Sequence, residues 1–351
     1  MNSLKKQWLL IPAGILWTFV LYAQSGNTNT NKFKQLKEEL ATPNVYRNAA
    51  GAPGHEYYQQ KADYVINVTL DDKNQVIRGE ETITYTNNSP DALEYLWLQL
   101  DQNMRAKDSD TRKIRNADMR DKVSFRDYEN FHNEFDGGFK IEYVRDGSNK
   151  ELSTIVHKTM MRVNLPSKLA PKSSFTIKIK YWYNINDRMK IGGRSGYEYF
   201  EEDGNYLYTI AQFFPRMAVY NDVEGWQNKQ FLGRGEFTLP FGDYKVNITV
   251  PSDHVVSATG VLQNSSSVLT SAQQNRLKIA KNEFVQPVMI VTPEEALKNE
   301  SSREDNTKTW SFKAVNVRDF AFASSRKFIW DAMAVKVGSK NVMAMSFYPK
   351  E

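Results

Sequence analysis

The sequence contains no cysteine, and this absence removes several kinds of chemistry at once. Without a thiol, the chain cannot form a disulfide, a thiolate nucleophile, a thiolate metal site or a lipid-modified cysteine. Histidine is also scarce: the four residues are His55, His132, His157 and His254. Any metal ion would therefore need histidine, aspartate or glutamate ligands.

The four histidines do not form a zinc-hydrolase motif. A helical zinc site needs two histidines one turn apart with a glutamate beside them, written His-Glu-x-x-His. His55-Glu56 begins in this way but continues as Tyr57-Tyr58-Gln59. His132-Asn133-Glu134 resembles the start of a deaminase motif that also requires cysteines. We predict no catalytic residue and no metal ligand, and interpret the histidines as surface or hydrogen-bonded residues.

Other short motifs are also better explained as ordinary structure. Gly192-Gly193-Arg194-Ser195-Gly196 lacks the Gly-Lys-Ser/Thr ending of a phosphate-binding loop, so it predicts a hairpin loop. Glu201-Glu202-Asp203 are adjacent, so their carboxylates diverge and a solvated turn is expected. Most of the many aromatic residues are expected in the core or in cross-strand pairs.

The formal net charge of +5 is too small to indicate a nucleic-acid partner. Residues 1–23 have the parts of a signal peptide: Lys5 and Lys6, then an apolar stretch from Trp8 to Tyr22, then a cut after Ala23. The apolar stretch is short for a bilayer span and contains Pro12 and Gly14. We therefore predict a periplasmic or secreted protein with no stable membrane anchor after cleavage.

Residues 24–44 form a polar segment with a short helix, capped by Asn31 and ended at Thr42-Pro43. The apolar period then changes to two. The clearest alternations are Phe175 to Tyr183 and Tyr244 to Val250. Further strands are predicted at Tyr64–Leu70, Glu81–Tyr85, Glu94–Leu100, Trp310–Phe320, Met333–Val337 and Asn341–Phe347. The sequence thus predicts an all-β fold.

Turn residues separate these strands and favour antiparallel connections. Positive backbone φ angles are expected at the glycines of Asp136-Gly137-Gly138, Asp146-Gly147-Ser148 and Asp203-Gly204-Asn205. Arg105 to Glu129 is crowded with charges and predicts a surface excursion with at most a short helix. One helical turn is predicted around Glu294 to Leu297.

The order of several segments resembles the N-terminal domain of aminopeptidase N-type zinc metallopeptidases, peptidase family M1. The segments are Tyr64 to Asp71, Ile77 to Glu80, Ile83 to Pro90, Gln212 to Asp222 with Gly225-Trp226, Gly235 to Phe237, Val246 to Pro251 and Trp310 to Ala323. The resemblance implies a twisted, saddle-like antiparallel β-sheet or sandwich domain over 45–324. It also implies that 325–351 is the start of a truncated catalytic domain.

The resemblance further implies that zinc binding and substrate contact belong to different parts of the enzyme. In that family the zinc ligands and the Gly-x-Met-Glu-Asn-type loop lie beyond the last residue of this sequence, so no zinc ligand carries over. The family's β domain directs a glutamine or glutamate at the N-terminal residue of the peptide substrate, and Gln212 is the matching position. The expected function is a non-catalytic scaffold and substrate-pocket domain of an exported zinc aminopeptidase, inactive alone, which meets peptide through the missing catalytic domain.

Two alternatives stay open at this point. The chain could be a free-standing secreted β module that binds peptide or glycan through exposed aromatic residues. It could also be a catalytically dead relative whose downstream domain lacks metal ligands. If the fragment interpretation holds, the strands after Ser324 should present an exposed edge and an apolar patch.

Overall fold

The computed structural model describes residues 43–112, 114, 122, 124, 125, 135–233, 235 and 237–351. The predicted leader over 1–23, the predicted helix after Asn31, His132 and most of the charged stretch from Arg105 to Glu129 lie outside these residues. In the described part of the chain, no helix is long and apolar enough to cross a membrane.

The chain divides into two compact units, one ending at Tyr58 and the other running from Gln59 to Glu351. In the first unit, the described residues form a turn closed by the Arg47–Pro53 bridge. The side chain of Asn44 accepts hydrogen bonds from the backbone N–H groups of Tyr46 and Arg47, which fixes the start of that turn.

The second unit is built mainly from strands. They are β1 (Lys61–Asp71), β2 (Val76–Thr86), β3 (Leu93–Gln99), β4 (Lys140–Asp146), β5 (Thr154–His157), β6 (Met160–Leu169), β7 (Ser174–Asn184), β8 (Gly196–Phe200), β9 (Asn205–Ile210), β10 (Arg216–Met217), β11 (Tyr220–Asn221), β12 (Gly225–Trp226), β13 (Gly242–Pro251), β14 (Val255–Ala258), β15 (Val261–Leu262), β16 (Val288–Val291), β17 (Thr307–Val317), β18 (Phe322–Ser325), β19 (Ile329–Val337) and β20 (Lys340–Tyr348). The prediction of an all-β fold is confirmed.

The largest sheet has seven strands in the order β15-β17-β13-β1-β2-β7-β4. Its strong alternation follows the sequence: Ile177, Ile179 and Tyr181 of β7 are buried, whereas Lys180 is exposed. All of its pairs are antiparallel except β1 with β13, which run parallel with Tyr64 opposite Tyr244.

Four smaller sheets complete the described unit. Their strand orders are β10-β3-β6-β5, β14-β18-β9-β8, β16-β19-β20 and the pair β11-β12. One hydrophobic cluster runs across the two larger of these sheets and the seven-stranded sheet, and it includes Leu98, Met161, Tyr208 and Phe322. Each large apolar side chain that is fully buried contributes about 1.5–3 kcal/mol to stability, so this shared core is the main force that holds the sheets together.

The helices are short and lie between strands. They are α1 (Arg188–Ile191), α2 (Ser265–Val268), α3 (Ser271–Ala280) and α4 (Pro293–Ser302), with 3₁₀ helices at Asp101–Arg105 and Asp110–Arg112. The single turn predicted around Glu294 is wrong in length, because α4 has ten residues. A capping box between Thr292 and Glu295 and a proline in the first turn stabilise it.

The turns agree with the sequence in part. Gly204 has a positive φ between β8 and β9, as predicted. Gly137, Gly138 and Gly147 do not; in the turn after β4 the left-handed residue is Asn149. The carboxylate of Asp146 accepts the backbone N–H groups of Ser148 and Lys150 in that turn, so side-chain bonding shapes it without a left-handed glycine.

The hairpin β19–β20 lies at one side of its sheet, with β20 at the edge. Its partner on the other side of β19 is β16, which precedes α4. Val342, Met345 and Tyr348 on β20 are exposed, as is Val337 on β19. In the described residues, the predicted exposed edge after Ser324 is therefore confirmed, and the exposed apolar side chains of this hairpin lie on both of its faces.

Candidate functional site

Gln212 lies in the segment that leaves β9 and enters β10. Its backbone φ is 54°, a left-handed value that is unusual for a residue other than glycine. Phe213 and Phe214, which follow, are fully buried, whereas the side chain of Gln212 is half-buried. Among the described residues, no partner hydrogen-bonds the Gln212 carboxamide. The segment is thus anchored by its aromatic neighbours and leaves one polar side chain available.

Gln102 fixes the backbone of this segment from the 3₁₀ helix that follows β3. It is only 2% exposed. Its Nε2 donates to the carbonyl of Gln212 at 3.0 Å and to that of Ala211 at 3.3 Å. Arg105 Nη1 donates to Gln102 Oε1 at 3.0 Å, so both ends of the Gln102 carboxamide are bonded. These contacts bring together residues about 110 positions apart in the sequence.

Ser195 supports the same segment from the loop that precedes β8. Its hydroxyl accepts the N–H of Ala211 at 3.1 Å and lies 3.1 Å from the carbonyl of Thr209. Asn186 Nδ2 donates to the carbonyl of Ser195 at 3.0 Å. The loop from Gly192 to Gly196 therefore follows the one-turn helix α1 and is tied to β9; it is not the hairpin loop that the sequence predicted.

The end of the segment is held by a buried ion-pair network at Arg216. Its Nη2 lies 2.9 Å from Asp101 Oδ1, and its Nη1 lies 2.6 Å from Asp319 Oδ2. Burial raises the pKa of the Asp101 carboxyl, and the guanidinium of Arg216 opposes that shift. Next to it, Tyr64 Oη accepts the N–H of Met217 at 2.9 Å. The backbone on both sides of Gln212 is therefore fixed.

The histidines form no metal site in the described residues. His55 and His157 are exposed. His254 is fully buried, with Nδ1 2.8 Å from Ser324 Oγ and Nε2 3.8 Å from Asp72 Oδ1. A serine, a histidine and an aspartate can form a nucleophilic triad, but Ser324 is fully buried and a substrate cannot reach it. This contact is part of the core.

Three carboxylates, from Asp203, Glu300 and Glu351, lie close enough together to bind a cation. The buried ammonium of Lys327 already contacts Asp203, and its Nζ lies 2.7 Å from Glu351 Oε1 and 3.4 Å from Glu300 Oε1. Lys350 Nζ adds a contact of 2.6 Å to Glu300. A metal ion would have to displace the lysine contacts, so these groups form an ion-pair network.

The aromatic residues are mainly structural. Trp310, Phe213 and Phe214 are fully buried, and Trp97, Trp182 and Trp226 are half-buried. The rings of Tyr220 and Trp226 pack edge to face, with centroids 5.2 Å apart. The expectation that most aromatic residues lie in the core or in pairs is confirmed for these residues.

Sequence reasoning named Gln212 but missed the residues that support it. Gln102 lies three residues after the end of β3, just beyond the apolar Leu98 and Leu100, and polar residues at that point are a signal in the sequence. In the sequence, Ser195 stands out only as part of the glycine-rich run from Gly192 to Gly196. Nothing local in the sequence connects either residue with Gln212.

No protein-family model matches the chain, and no curated protein matches it. Among solved structures, it is similar to an M1 zinc metallopeptidase variant from Deinococcus radiodurans bound to a Tyr-Ser-Ala substrate, with a TM-score of 0.44 and 11% identity over 84% of this chain and 48% of that chain. The M1 zinc metallopeptidase from Deinococcus radiodurans gives a TM-score of 0.43 and 12% identity over 84% and 47% of the two chains.

A third similar structure is a two-domain M1 zinc metallopeptidase variant bound to L-tryptophan, with a TM-score of 0.44 and 11% identity over 85% of this chain and 50% of that chain. The chain therefore spans about half the length of the structures it matches. These structures come from the family that the order of the sequence segments resembles.

Proposed function

We propose that this chain is the non-catalytic scaffold of an exported zinc aminopeptidase and that it forms one wall of the substrate pocket through Gln212. The observation that carries the proposal is the presentation of Gln212. Its backbone is held in a left-handed conformation, while its half-buried carboxamide is without a hydrogen-bond partner among the described residues. Unusual backbone conformations that the surroundings hold in place cluster at functional sites.

A glutamine side chain suits the N-terminal residue of a peptide. Its carbonyl oxygen accepts a hydrogen bond from an α-ammonium group, and its NH₂ group can donate to a peptide carbonyl. A hydrogen bond to a charged group contributes about 1.5–3 kcal/mol. The amide is uncharged, so it can bind the ammonium group without the desolvation cost that a buried carboxylate would carry.

Catalysis would belong to the domain that carries the zinc ligands. When bound there, zinc polarises the substrate carbonyl and lowers the pKa of its water. The present sequence has no His-Glu-x-x-His segment, so the chain is expected to be inactive alone. Purified protein should not hydrolyse an aminoacyl-anilide; hydrolysis that follows this chain through purification and disappears with a chelator would contradict the assignment.

Peptide recognition is tested by ligand-observed NMR with the chain alone, because the wall formed by Gln212 is expected to hold a free amino group weakly even without the domain that carries the zinc ligands. The probe is Tyr-Ser-Ala with a free amino group, and its N-acetylated form serves as the matched ligand. The chain should bind the free peptide more tightly than the acetylated one, and Gln212→Ala should remove most of that preference. Equal binding of the two peptides by the unmodified chain would refute the assignment of Gln212.

Gln75 provides a matched control for the substitution. It is also a half-buried glutamine with a positive φ, 51°, but it lies in the turn between β1 and β2. Gln75→Ala should leave the preference for the free amino group unchanged. If both alanine variants lose the preference for the free amino group equally, the loss follows from removing any left-handed glutamine and not from a pocket at Gln212.

Export is part of the same proposal. The leader predicted over residues 1–23 would direct the chain to the periplasm or out of the cell. Expression of the full reading frame followed by N-terminal sequencing of the mature protein tests this, with Gln24 expected as the first residue. Recovery of an uncleaved chain from the cytoplasm would contradict export.

A further inference from the structure

We propose that Gln102 is a positioning residue for peptide recognition: it holds the backbone of Gln212 in the conformation that presents the Gln212 side chain. This inference rests on the proposed role of Gln212. It adds a residue from a different part of the chain, and it assigns to that residue an effect on recognition that differs from an effect on stability.

The backbone conformation of Gln212 needs support from its surroundings. A left-handed backbone is unfavourable for glutamine. Glycine tolerates it because it has no side chain, and asparagine because its short polar side chain can hydrogen-bond locally. Gln212 nevertheless adopts a φ of 54°. Such a conformation persists only where surrounding contacts hold it. The contact to the Gln212 carbonyl in the described structure comes from Gln102 Nε2, at 3.0 Å.

The orientation of the Gln102 carboxamide is set by its partners. A carboxamide has a donor end and an acceptor end. Arg105 can only donate, and its Nη1 occupies the acceptor end at 3.0 Å. The NH₂ end must therefore face the carbonyl groups of Ala211 and Gln212. Gln102 is 2% exposed, so water does not compete for these bonds.

Gly193 lies against the guanidinium of Arg105. A Cβ at Gly193 would stand 3.0 Å from Arg105 Nη2, which is closer than an ordinary contact. A side chain there would oblige the guanidinium that bonds Gln102 to shift slightly. Ser195 bonds to Ala211, one residue earlier, and leaves the carbonyl of Gln212 to Gln102. The two anchors share the carbonyl of Ala211, but only Gln102 bonds that of Gln212.

Gln102→Met tests the proposal, because methionine keeps the length of the side chain but cannot donate. Gln230→Met is the matched control: Gln230 Oε1 accepts the N–H of Thr159 at 2.8 Å, and its Nε2 donates to the carbonyl of His157 at 3.0 Å. Both variants lose side-chain bonds to backbone, but only one loses them at Gln212. Two quantities are measured in each: the backbone ¹³C shifts of residue 212, and the affinity ratio between Tyr-Ser-Ala and its N-acetylated form.

In Gln102→Met, the ¹³C shifts of residue 212 should leave the left-handed range, and the affinity ratio should fall at least about fivefold, as expected for one lost hydrogen bond. In Gln230→Met, both should match the unmodified chain even if the melting temperature falls. Left-handed shifts that persist in Gln102→Met, or an unchanged ratio with only a lower melting temperature, would overturn the positioning role.

Failure of the proposed function has a different result. If the unmodified chain shows no preference for the free amino group, the role of Gln212 in recognition fails. In that case the shifts of residue 212 still decide whether Gln102 sets its conformation. If the preference exists and depends on Gln212 but not on Gln102, the recognition site stands and the positioning role is wrong.

Discussion

Charge is buried in one way on the seven-stranded sheet and in the opposite way at β10 and in the turn between β18 and β19. On the buried face of the large sheet, Glu81 is fully buried and neither carboxyl oxygen has a hydrogen-bond partner within the described structure. Elsewhere, the buried cations Arg216, Arg326 and Lys327 each contact at least two carboxylates.

The two regions avoid the desolvation cost of a buried charge in different ways. An isolated carboxyl can avoid the cost of a buried charge by taking up a proton, and burial alone raises the pKa of Glu81 well above its usual value. A paired cation keeps its charge, because the carboxylates around it offset the desolvation. The first arrangement lies within one sheet that apolar packing holds together, whereas the second joins chain segments that are far apart in sequence, such as Arg216 with Asp319 and Arg326 with Asp72.

The largest effect is expected where a paired cation is removed. Arg216→Met leaves Asp101 buried without its partner and should lower the free energy of unfolding by about 3–5 kcal/mol, measured by urea denaturation at pH 7. Lys61→Met is the control, because its pair with Asp63 is exposed and should contribute less than about 1 kcal/mol. Equal losses in the two variants would remove the distinction between buried and exposed pairs.

A smaller effect is expected from His254, which lies among the paired groups. Burial, and then the charge of Arg326, lowers its pKa to about 3. The folded state therefore holds the imidazole neutral, and its contribution to stability is present above the ordinary value of about 6.5 and is lost as the pH falls from 6.5 toward 3. The loss is at most about 1.4 kcal/mol per pH unit.

His254→Gln, which does not titrate, should flatten this loss in urea denaturation between pH 6.5 and pH 4.5. The side chains of Asp72, Asp253 and Lys308 remain in both proteins, so the difference between the two stability curves isolates the imidazole. Parallel curves for the two proteins would show that His254 does not titrate on unfolding in this range.

The smallest expected change comes from the lone carboxyl, because it is measured over a single pH unit, and it has the opposite sign. Because the folded pKa of Glu81 is raised, its contribution is full below the unfolded value and is lost as the pH rises above about 4.5. When the pH rises from 5 to 6, the free energy of unfolding should fall less in Glu81→Gln than in the unmodified chain, by up to about 1.4 kcal/mol. If Glu81→Gln and the unmodified chain lose stability equally over that step, a partner must compensate the carboxylate.

The sequence was most informative where the pattern is local. Alternating residues such as Ile177 and Lys178 on β7 reveal a strand with one buried face, because side chains on a strand point to opposite sides. The helix α3 was missed although Thr270 and Gln273 form a capping box at its start. Its interior has few apolar residues, so the sequence shows no apolar period that would predict a helix.

Long-range features could not be predicted in the same way. The parallel pairing of β1 with β13 joins strands about 180 residues apart in the sequence. A side-chain hydrogen bond between Asn67 and Asn247 links the same two strands. Gln212 was identified through a resemblance, whereas Gln102 required the folded chain. Lys327 looks like a surface lysine in sequence, yet it is fully buried because three distant carboxylates surround it.

The most direct test of the central claim is to read the coding sequence immediately beyond the codon for Glu351. If the chain is the scaffold of a zinc aminopeptidase, the frame should continue through a Gly-x-Met-Glu-type loop and a His-Glu-x-x-His helix. A stop codon directly after Glu351, in sequence confirmed from independent clones, would contradict that claim.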